Sequence, residues 1–349
     1  MSNASTQLTE ISQLIINPLS NRSDWFFAAR DLADLVTDTA SFQIDKQQDI
    51  GHGESQLNNG LAVSPTQAAM CAREFSRSGS FIRGLHAAIE QLLAKQTERP
   101  VRILYAGTGP YALLALPQIA LFSAEQIQFT FIDIHKESLL SAKKIAQTFG
   151  YSDRIVAYHN VDACQYQIPQ DELPDIIISE TMNVTLRGEP QVAITRNLLS
   201  QAPNAIMVPQ SVSVSATLLD SAKEHVLVPA EHEGDFPPLE RDRQPLATLF
   251  ELNATTVKQW EKITADQLPA TPLPIPKTFN NRYALKLMTT IDVYPGIQLA
   301  NYDCSLTMPT NMPGHWEPQR GETLSVTYQL GKFPGLKFTC TTTGKTLEN

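Results

Sequence analysis

Two glycines and an aspartate are the first residues whose spacing suggests chemistry. Gly107 and Gly109 follow a short apolar run, and Asp133 ends the next apolar run along the chain. Glycines at a strand-to-helix bend let the backbone approach a ligand and leave the first helix amides free to bind it. A carboxylate at the end of the second strand of such a fold accepts hydrogen bonds from ribose hydroxyls. The pattern predicts that these three residues bind a nucleoside.

A third apolar run leads to Val161 and Asp162, where an adenine amino group would need an acceptor. Such a site fits a nicotinamide cofactor or S-adenosyl-L-methionine. A dinucleotide site requires a third glycine where the pyrophosphate packs on the helix, and Pro110-Tyr111 stands there instead. The preceding helical segment also carries cations that a methionine carboxylate could use. The sequence therefore favours S-adenosyl-L-methionine.

The elements that would position these residues follow from hydrophobic periodicity. Apolar runs alternate with helical patterns at 101–106, 127–133, 155–158, 175–179 and 205–208. Helices are predicted between them, including one at 136–149 and one at 191–200. This alternation predicts an α/β fold whose parallel sheet is covered on both faces, a Rossmann-like core over residues 99–210.

The flanking segments read differently. Residues 1–98 predict a helical cap, with a loop at 45–59 and a break at 78–80 in the amphipathic run that ends at 95. Residues 211–349 predict a β-rich, barrel-like domain. Its expected strands are 211–219, 283–293, 302–308, 323–330 and 336–342, with a helix at 246–263 and an extended proline-rich run at 269–276.

Composition limits the partners. The 349-residue chain has a formal net charge of −9, whereas proteins that bind nucleic acid usually present a basic surface, so we expect no nucleic-acid partner. An acidic protein attracts cations at long range. No run of about 18 apolar residues predicts a membrane span, and the polar N-terminus has no secretory pattern. Cys71, Cys164, Cys304 and Cys340 lack the spacing of a zinc site, so we expect free thiols, no metal and a cytoplasmic location.

Two glutamates nine residues apart, Glu180 and Glu189, follow the fourth apolar run in the segment DIIISETMNVTLRGE, residues 175–189. This segment resembles the double-glutamate loop of the protein arginine methyltransferases. The segment REFSRSGSF, residues 73–81, is similar to the family's helix that covers the cofactor, and AIMVP, residues 205–209, is similar to its entry into a β-barrel. His315-Trp316 resembles the family's Thr-His-Trp loop less closely.

The resemblance covers residues 65–220 and implies a class I S-adenosylmethionine-dependent methyltransferase. It implies that Arg77 pairs with the cofactor's carboxylate and that Glu180 and Glu189 clamp a guanidinium. It also implies that Gly107 and Gly109 face the methionine and ribose, Asp133 holds the ribose and Asp162 the adenine. Residues 221–276 would supply a dimerisation arm like the family's, and hence a homodimer.

Paired carboxylates suit this chemistry. Methyl transfer from a sulfonium requires that sulfur, methyl and nucleophile be aligned and water excluded. A guanidinium is a poor nucleophile because its lone pairs are delocalised and its pKa exceeds about 12. Two carboxylates can bind it bidentately and orient one nitrogen toward the methyl group, and one of them can accept the departing proton.

Three functions stay open from the sequence. The first is N-methylation of a guanidino or amino group in a small molecule or a protein, a cationic acceptor in either case. The second is O- or C-methylation, with a glutamate acting as base, although a histidine base is more common there. The third is a non-catalytic S-adenosylmethionine-binding module, which has no need for two carboxylates beside the methyl group.

Overall fold

The computed structural model describes residues 3–17, 19–45, 47–95, 98–224, 240–340, 344 and 346–347. The N-terminal part is helical, as predicted. Its elements are α1 (Asn3–Ile16), α2 (Arg22–Thr39), β1 (Ser55–Leu57), β2 (Gly60–Ala62), α3 (Pro65–Cys71) and α4 (Phe75–Leu93). The two short strands form an antiparallel hairpin, with β1 inside the segment predicted as a loop at 45–59 and β2 directly after it.

The helix break predicted at residues 78–80 is wrong, because α4 continues through them and the break lies before Phe75. Gly79 allows α4 to pack closely against α2. A Cβ at this position would lie 2.6 Å from the ring of Trp25 on α2. Gly84, one turn and a half further on, lies as close to a later strand, since its Cβ would be 2.5 Å from Val293 Cγ1. The glycines therefore let α4 pack tightly on both sides.

The central sheet is parallel and has the order β5-β4-β3-β6-β7, which confirms the predicted Rossmann-like core. Its strands are β3 (Val101–Ala106), β4 (Ile127–Asp133), β5 (Ile155–Asn160), β6 (Ile176–Ser179) and β7 (Ile206–Val208). The helices between them are α5 (Leu116–Leu121), α6 (Lys136–Phe149) and α7 (Gln191–Gln201). The strand order reverses beside β3, so the crevice at the carboxyl ends of β3 and β6 is where such sheets bind ligands.

The C-terminal part is β-rich, as predicted, and consists of antiparallel strands in two sheets. One sheet has the order β13-β12-β8-β9, with β14 beside β12, and the other has the order β10-β15-β16-β17, with β11 beside β15. The first comprises β8 (Ser211–Asp220), β9 (Arg243–Asn253), β12 (Tyr283–Tyr294), β13 (Ile297–Leu299) and β14 (Thr310–Asn311). The second comprises β10 (Gln267–Pro269), β11 (Leu273–Pro274), β15 (Thr323–Gln329), β16 (Gly335–Cys340) and β17 (Thr346–Leu347).

The helix predicted at 246–263 is wrong. Residues 246–253 of that segment belong to β9, which pairs along its length with β8, and within the segment only α8 (Ala254–Gln259) is helical. Asn253 marks the boundary because its side chain accepts a hydrogen bond from the Thr256 amide. Pairing with a strand far back in the sequence outweighs the local helical pattern.

The strand predicted at 302–308 is also wrong. Residues Ser305–Thr307 form a 3₁₀ turn. The Glu74 carboxylate, which precedes α4, accepts hydrogen bonds from the Ser305 amide at 2.9 Å and from its hydroxyl at 2.8 Å. This long-range contact replaces the ladder that a strand would need.

The boundaries predicted at 98 and 210 stay predictions, because buried apolar residues from all three parts form one contiguous core. The proposed dimerisation arm at 221–276 also stays a prediction, and its residues 225–239 lie outside the described chain. Across the described residues, no helix is both long and apolar enough to span a membrane.

One aromatic stack holds the C-terminal sheets together and yields a stability prediction. Phe250 stacks on Trp260 at 5.3 Å and on Tyr328 at 4.5 Å between ring centroids, and is 3% exposed. We expect Phe250→Ala to lower the free energy of unfolding by about 3–5 kcal/mol, because it leaves a buried cavity. The measurement is urea denaturation. Phe333→Ala, at a ring that is 69% exposed, is the control and should change it by less than about 0.5 kcal/mol; equal losses would contradict the role of the stack.

Candidate active site

A cavity of about 250 Å³ opens at the carboxyl ends of β3 and β6. All eight residues predicted for the site line it, although they come from separate stretches of the chain. They are Arg77, Gly107, Gly109, Asp133, Val161, Asp162, Glu180 and Glu189. The structure therefore brings the predicted nucleoside residues and the two glutamates to one place.

The glycine turn after β3 has a geometry that other residues adopt with difficulty. Gly107 has φ +77° and Gly109 has φ +60°, in the left-handed region that favours glycine. A Cβ at Gly107 would lie 2.3 Å from Thr181 Cγ2, beside Glu180. The turn after β3 thus packs directly against the residue that follows the first glutamate.

Asp133 shapes this turn. Its buried carboxylate accepts hydrogen bonds from the Gly109 amide at 2.8 Å, the His135 amide at 2.8 Å and the Thr108 hydroxyl at 3.3 Å. A carboxylate offers about four acceptor positions, so about one is left for a ligand hydroxyl. Asp133 has a structural role here in addition to the ribose contact predicted for it.

Asp162 is less engaged. Its Oδ1 accepts a hydrogen bond from the Cys164 amide at 2.8 Å, and its Oδ2 lies 3.5 Å from Gln165 Nε2. Val161 beside it is 37% exposed. The pair forms an open, polar edge of the cavity.

Arg77 and Glu180 form a buried ion pair. Arg77 Nε donates to Glu180 Oε2 at 2.8 Å, and Arg77 Nη2 donates to the same oxygen. The two side chains are 10% and 12% exposed. Burial raises the pKa of Glu180, and the charge of Arg77 opposes that rise. Two residues expected to bind different ligands are thus bonded to each other.

The second oxygen of Glu180 is in a different situation. Oε1 is buried and has no hydrogen-bond partner among the described residues. Leaving a buried carboxylate oxygen unsatisfied costs about 1–3 kcal/mol or more. A donor placed in the cavity would remove that cost.

Glu189 has a pKa raised from its usual 4.5 to about 7. Burial is the main cause, the charge of Glu180 adds to it, Arg77 opposes it, and Glu54 raises it further. A carboxyl group with a pKa near 7 can bind a cation or accept a proton at neutral pH.

The loop between the two glutamates has a strained backbone that is stabilised by hydrogen bonds from the C-terminal sheets. Thr185 and Leu186 have φ of 58° and 57°, left-handed values that cost a non-glycine residue about 1–3 kcal/mol. The Thr185 amide donates to Thr289 Oγ1 at 3.0 Å, and the buried Tyr328 hydroxyl donates to the Leu186 carbonyl at 2.6 Å. The C-terminal sheets thus fix the conformation of the loop, a role that no sequence pattern indicates.

The β1–β2 hairpin closes another side of the cavity. Its Leu57 and Leu61 line the cavity, and the Leu61 amide donates to the Gly188 carbonyl at 2.8 Å. Gly60 allows this contact, because a Cβ there would lie 2.9 Å from the same carbonyl oxygen. The Asn59-Gly60 dipeptide between Leu57 and Leu61, a pair of residues typical of tight turns, was the available signal, and the sequence reading missed it.

His315-Trp316 and Cys71, which the sequence analysis also named, are not assigned a role in the site. Trp316 packs against the hydrophobic core and does not line the cavity, and the side chain of His315 lies outside the described residues. Cys71 does line the cavity, where burial raises the pKa of its thiol. Within the described chain, no cluster of three or more His, Cys, Asp or Glu side chains could hold a metal ion.

Comparison with known proteins shows the fold. No family model and no curated protein matches the sequence. Among solved structures, a chain of the Trypanosoma brucei PRMT1 enzyme–prozyme heterotetrameric complex with AdoHcy is similar, with 13% identity and a TM-score of 0.50. The match covers 77% of this chain and 90% of that chain. The chain therefore has a methyltransferase-like fold, a parallel α/β core followed by a β-rich part.

The pKa of Glu189 gives a prediction for stability against pH. The folded state keeps the Glu189 proton up to a pH of about 7, whereas the unfolded chain loses it near 4.5. The free energy of unfolding therefore falls as the pH rises through this window. We expect Glu189→Gln to match the wild type near pH 5 and to be more stable than it at pH 8.

Urea denaturation at several pH values measures this effect. Glu172→Gln, at an exposed position, is the control and should follow the wild-type curve. If Glu189→Gln and the wild type change in parallel between pH 5 and pH 8, the raised pKa is wrong.

Proposed function

We propose that this chain is an S-adenosylmethionine-dependent methyltransferase that methylates a nitrogen of a cationic guanidino or amino acceptor. The observation that carries the proposal is the shared cavity. The residues predicted to bind the cofactor and the two glutamates predicted to bind the acceptor line the same space. The similarity to a methyltransferase fold, and to a solved chain whose complex contains AdoHcy, supports it.

The residues present fit the cofactor. The left-handed glycine turn lets a ligand approach the backbone at Gly107 and Gly109, and Asp133 has about one acceptor position left for a ribose hydroxyl. Asp162 can accept from an adenine amino group, and Arg77 can bind a carboxylate. When bound, S-adenosyl-L-methionine supplies a methyl group on a positively charged sulfur.

The glutamates would then act on the acceptor. Glu180 lines the cavity, and its Oε1, which has no hydrogen-bond partner among the described residues, would accept a hydrogen bond from the acceptor. Glu189, with a pKa of about 7, would stay ionised beside a bound cation, since an opposite charge lowers the pKa of a carboxyl group. It would hold the acceptor nitrogen in line for transfer and accept the proton that leaves.

Arg77 links the two halves of the site. It is bonded to Glu180 here, and it would also be the partner of the cofactor's carboxylate. An arginine has five N–H donors, so it can bind both groups at once. A bound carboxylate would share the charge of Arg77 and leave Glu180 more available to a cationic acceptor.

The proposal extends to the oligomeric state and the cellular location of the protein. We propose a cytoplasmic homodimer, with residues 221–276 as its arm. The similar trypanosomal chain comes from a heterotetrameric complex, which supports association of some kind in this fold. Size-exclusion chromatography with light scattering tests it.

The cofactor assignment gives a binding prediction. Arg77→Ala alone would leave Glu180 buried and unpaired, so the comparison is made in the Glu180→Gln background. In that background, we expect Arg77→Ala to weaken the binding of S-adenosylhomocysteine about ten- to a hundredfold, because it removes a charge-assisted contact with the ligand's carboxylate. The affinity for methylthioadenosine, which has no carboxylate, should change by less than about threefold.

Calorimetry measures both ligands. Arg73→Ala is the matched control, because Arg73 is half exposed and pairs with Asp34 rather than with either glutamate. Equal losses for both ligands, or tight binding of NAD by the wild type, would end the assignment of the cofactor.

The acceptor assignment gives a second prediction. Glu180→Gln and Glu189→Gln each remove one charged contact with the acceptor, and we expect turnover to fall about a hundredfold or more. The assay screens arginine, agmatine, arginine-rich peptides, uncharged phenols and carboxylates, with S-adenosylhomocysteine release as the readout. Glu172→Gln should keep full activity.

The outcomes separate the candidate functions. Turnover of phenols or carboxylates alone would replace the proposal with an O-methyltransferase in which Glu189 acts as base. Binding of the cofactor without turnover of any acceptor would favour a binding module. Full activity in the doubly substituted Gln variant would remove both glutamates from the chemistry.

A further inference from the structure

We infer that Gln191 is a positioning residue that holds Glu180, and with it Glu189, in place for the acceptor. The inference rests on the proposed function for its consequence in catalysis. Gln191 is the first residue of α7, is 1% exposed and lies two positions after Glu189. It does not line the cavity, so it would act through the glutamates.

The amide of Gln191 binds the backbone on both sides of Glu180. Its Oε1 accepts hydrogen bonds from the Thr181 amide and the Thr181 hydroxyl, both at 2.9 Å. Its Nε2 donates to the Ser179 carbonyl at 3.2 Å. These groups belong to the two peptide units that flank the Glu180 Cα.

This arrangement resembles a strand partner. In an extended chain, the carbonyl before a residue and the amide after it point to the same side, where a neighbouring strand would bind both. At the end of β6 the Gln191 side chain takes that place. The direction in which the Glu180 side chain leaves the backbone is therefore fixed by Gln191.

The contacts match a side-chain amide. A backbone N–H can only donate and a carbonyl can only accept, so the partner needs an acceptor and a donor at the same end of the side chain. Glutamine offers both, and the orientation of its amide follows from these partners. Gln191 Nε2 also lies 3.3 Å from Thr195 Oγ1 on the same helix, which fixes the rotamer.

The same contacts join the two glutamates. Gln191 follows Glu189 and Pro190 and reaches back to Ser179 and Thr181, so its side chain closes the loop that begins at Glu180. A displacement of about 1 Å at a reacting group can cost about a hundredfold in rate. The closure would keep both carboxylates in register with a bound cation.

The test is a double-mutant cycle in the full chain. Gln191→Met keeps the size of the side chain and removes its hydrogen bonds. We expect it to lower kcat/KM for the cationic acceptor about ten- to a hundredfold in the wild-type background, and by less than about threefold in the Glu180→Gln background. Equal factors in both backgrounds would overturn the inference.

Gln118→Met is the matched control. Gln118 is also fully buried, and its amide joins the Ile82 carbonyl at 2.9 Å to His86 at 3.0 Å, on the side of α4 away from the glutamates. A loss of folded protein would lower kcat with KM unchanged and would multiply equally in both backgrounds. If Gln191→Met does not fold, Gln191→Glu, which keeps the acceptor and loses the donor, takes its place in the cycle.

Hydrogen exchange separates this inference from the proposed function. We expect peptides that cover residues 179–189 to exchange faster in Gln191→Met than in the wild type, and to be unchanged in Gln118→Met. If no acceptor is methylated, the proposed function fails, and faster exchange of this loop still supports the role of Gln191. Unchanged exchange of the loop would overturn it.

Discussion

The buried ion pair between Arg77 and Glu180 is the constraint on which the site depends. Removing two charges from water is costly, and a buried pair persists only where geometry and hydrogen bonding compensate. Arg77 lies in the first turns of α4, and Glu180 follows β6. To form the pair, α4 must lie over the carboxyl end of the sheet, so the helical N-terminal part and the sheet are fixed relative to each other. Among the described residues, Glu180 Oε1 has no hydrogen-bond partner. The pKa of Glu189 is raised mainly by burial, the charge of Glu180 raises it further, and the charge of Arg77 opposes the rise.

The C-terminal sheets take part in the site although they do not supply the predicted chemistry. Leu186 and Thr185 keep their left-handed conformations because Tyr328 and Thr289 bind their backbone. Tyr328 is itself held by its stack on Phe250. The packing of the C-terminal sheets thus stabilises the strained conformation of the loop between Glu180 and Glu189. Local strain of this kind persists where the surrounding structure over-determines it.

Much of the core could be predicted from sequence. The bounds of β3, β4 and α6 agree residue for residue with the apolar runs and helical periodicity, because a buried parallel strand is apolar on both faces and Gly150 ends α6 in a left-handed conformation. The shared location of Gly107, Asp133, Asp162 and Glu180 also follows from sequence, since each stands at or just after the carboxyl end of a parallel strand and those ends meet at one edge of a sheet.

The rest depends on pairs that are far apart in the chain. Arg77 and Glu180, Glu74 and Ser305, and β8 and β9 have no local signal that names their partner. The predictions of a helix at 246–263 and of a strand at 302–308 were wrong for this reason. Gln191 is a further case, since its side chain donates to the carbonyl of Ser179, 12 residues earlier in the chain.

The hydrogen bonds from Tyr328 and Thr289 have a consequence for how such a protein can change during evolution. The predicted cofactor residues lie on the N-terminal helices and the parallel sheet, whereas the loop between the glutamates takes its shape from the last third of the chain. Under the function proposed above, substitutions in that third would alter the choice of acceptor while leaving the predicted nucleoside residues untouched.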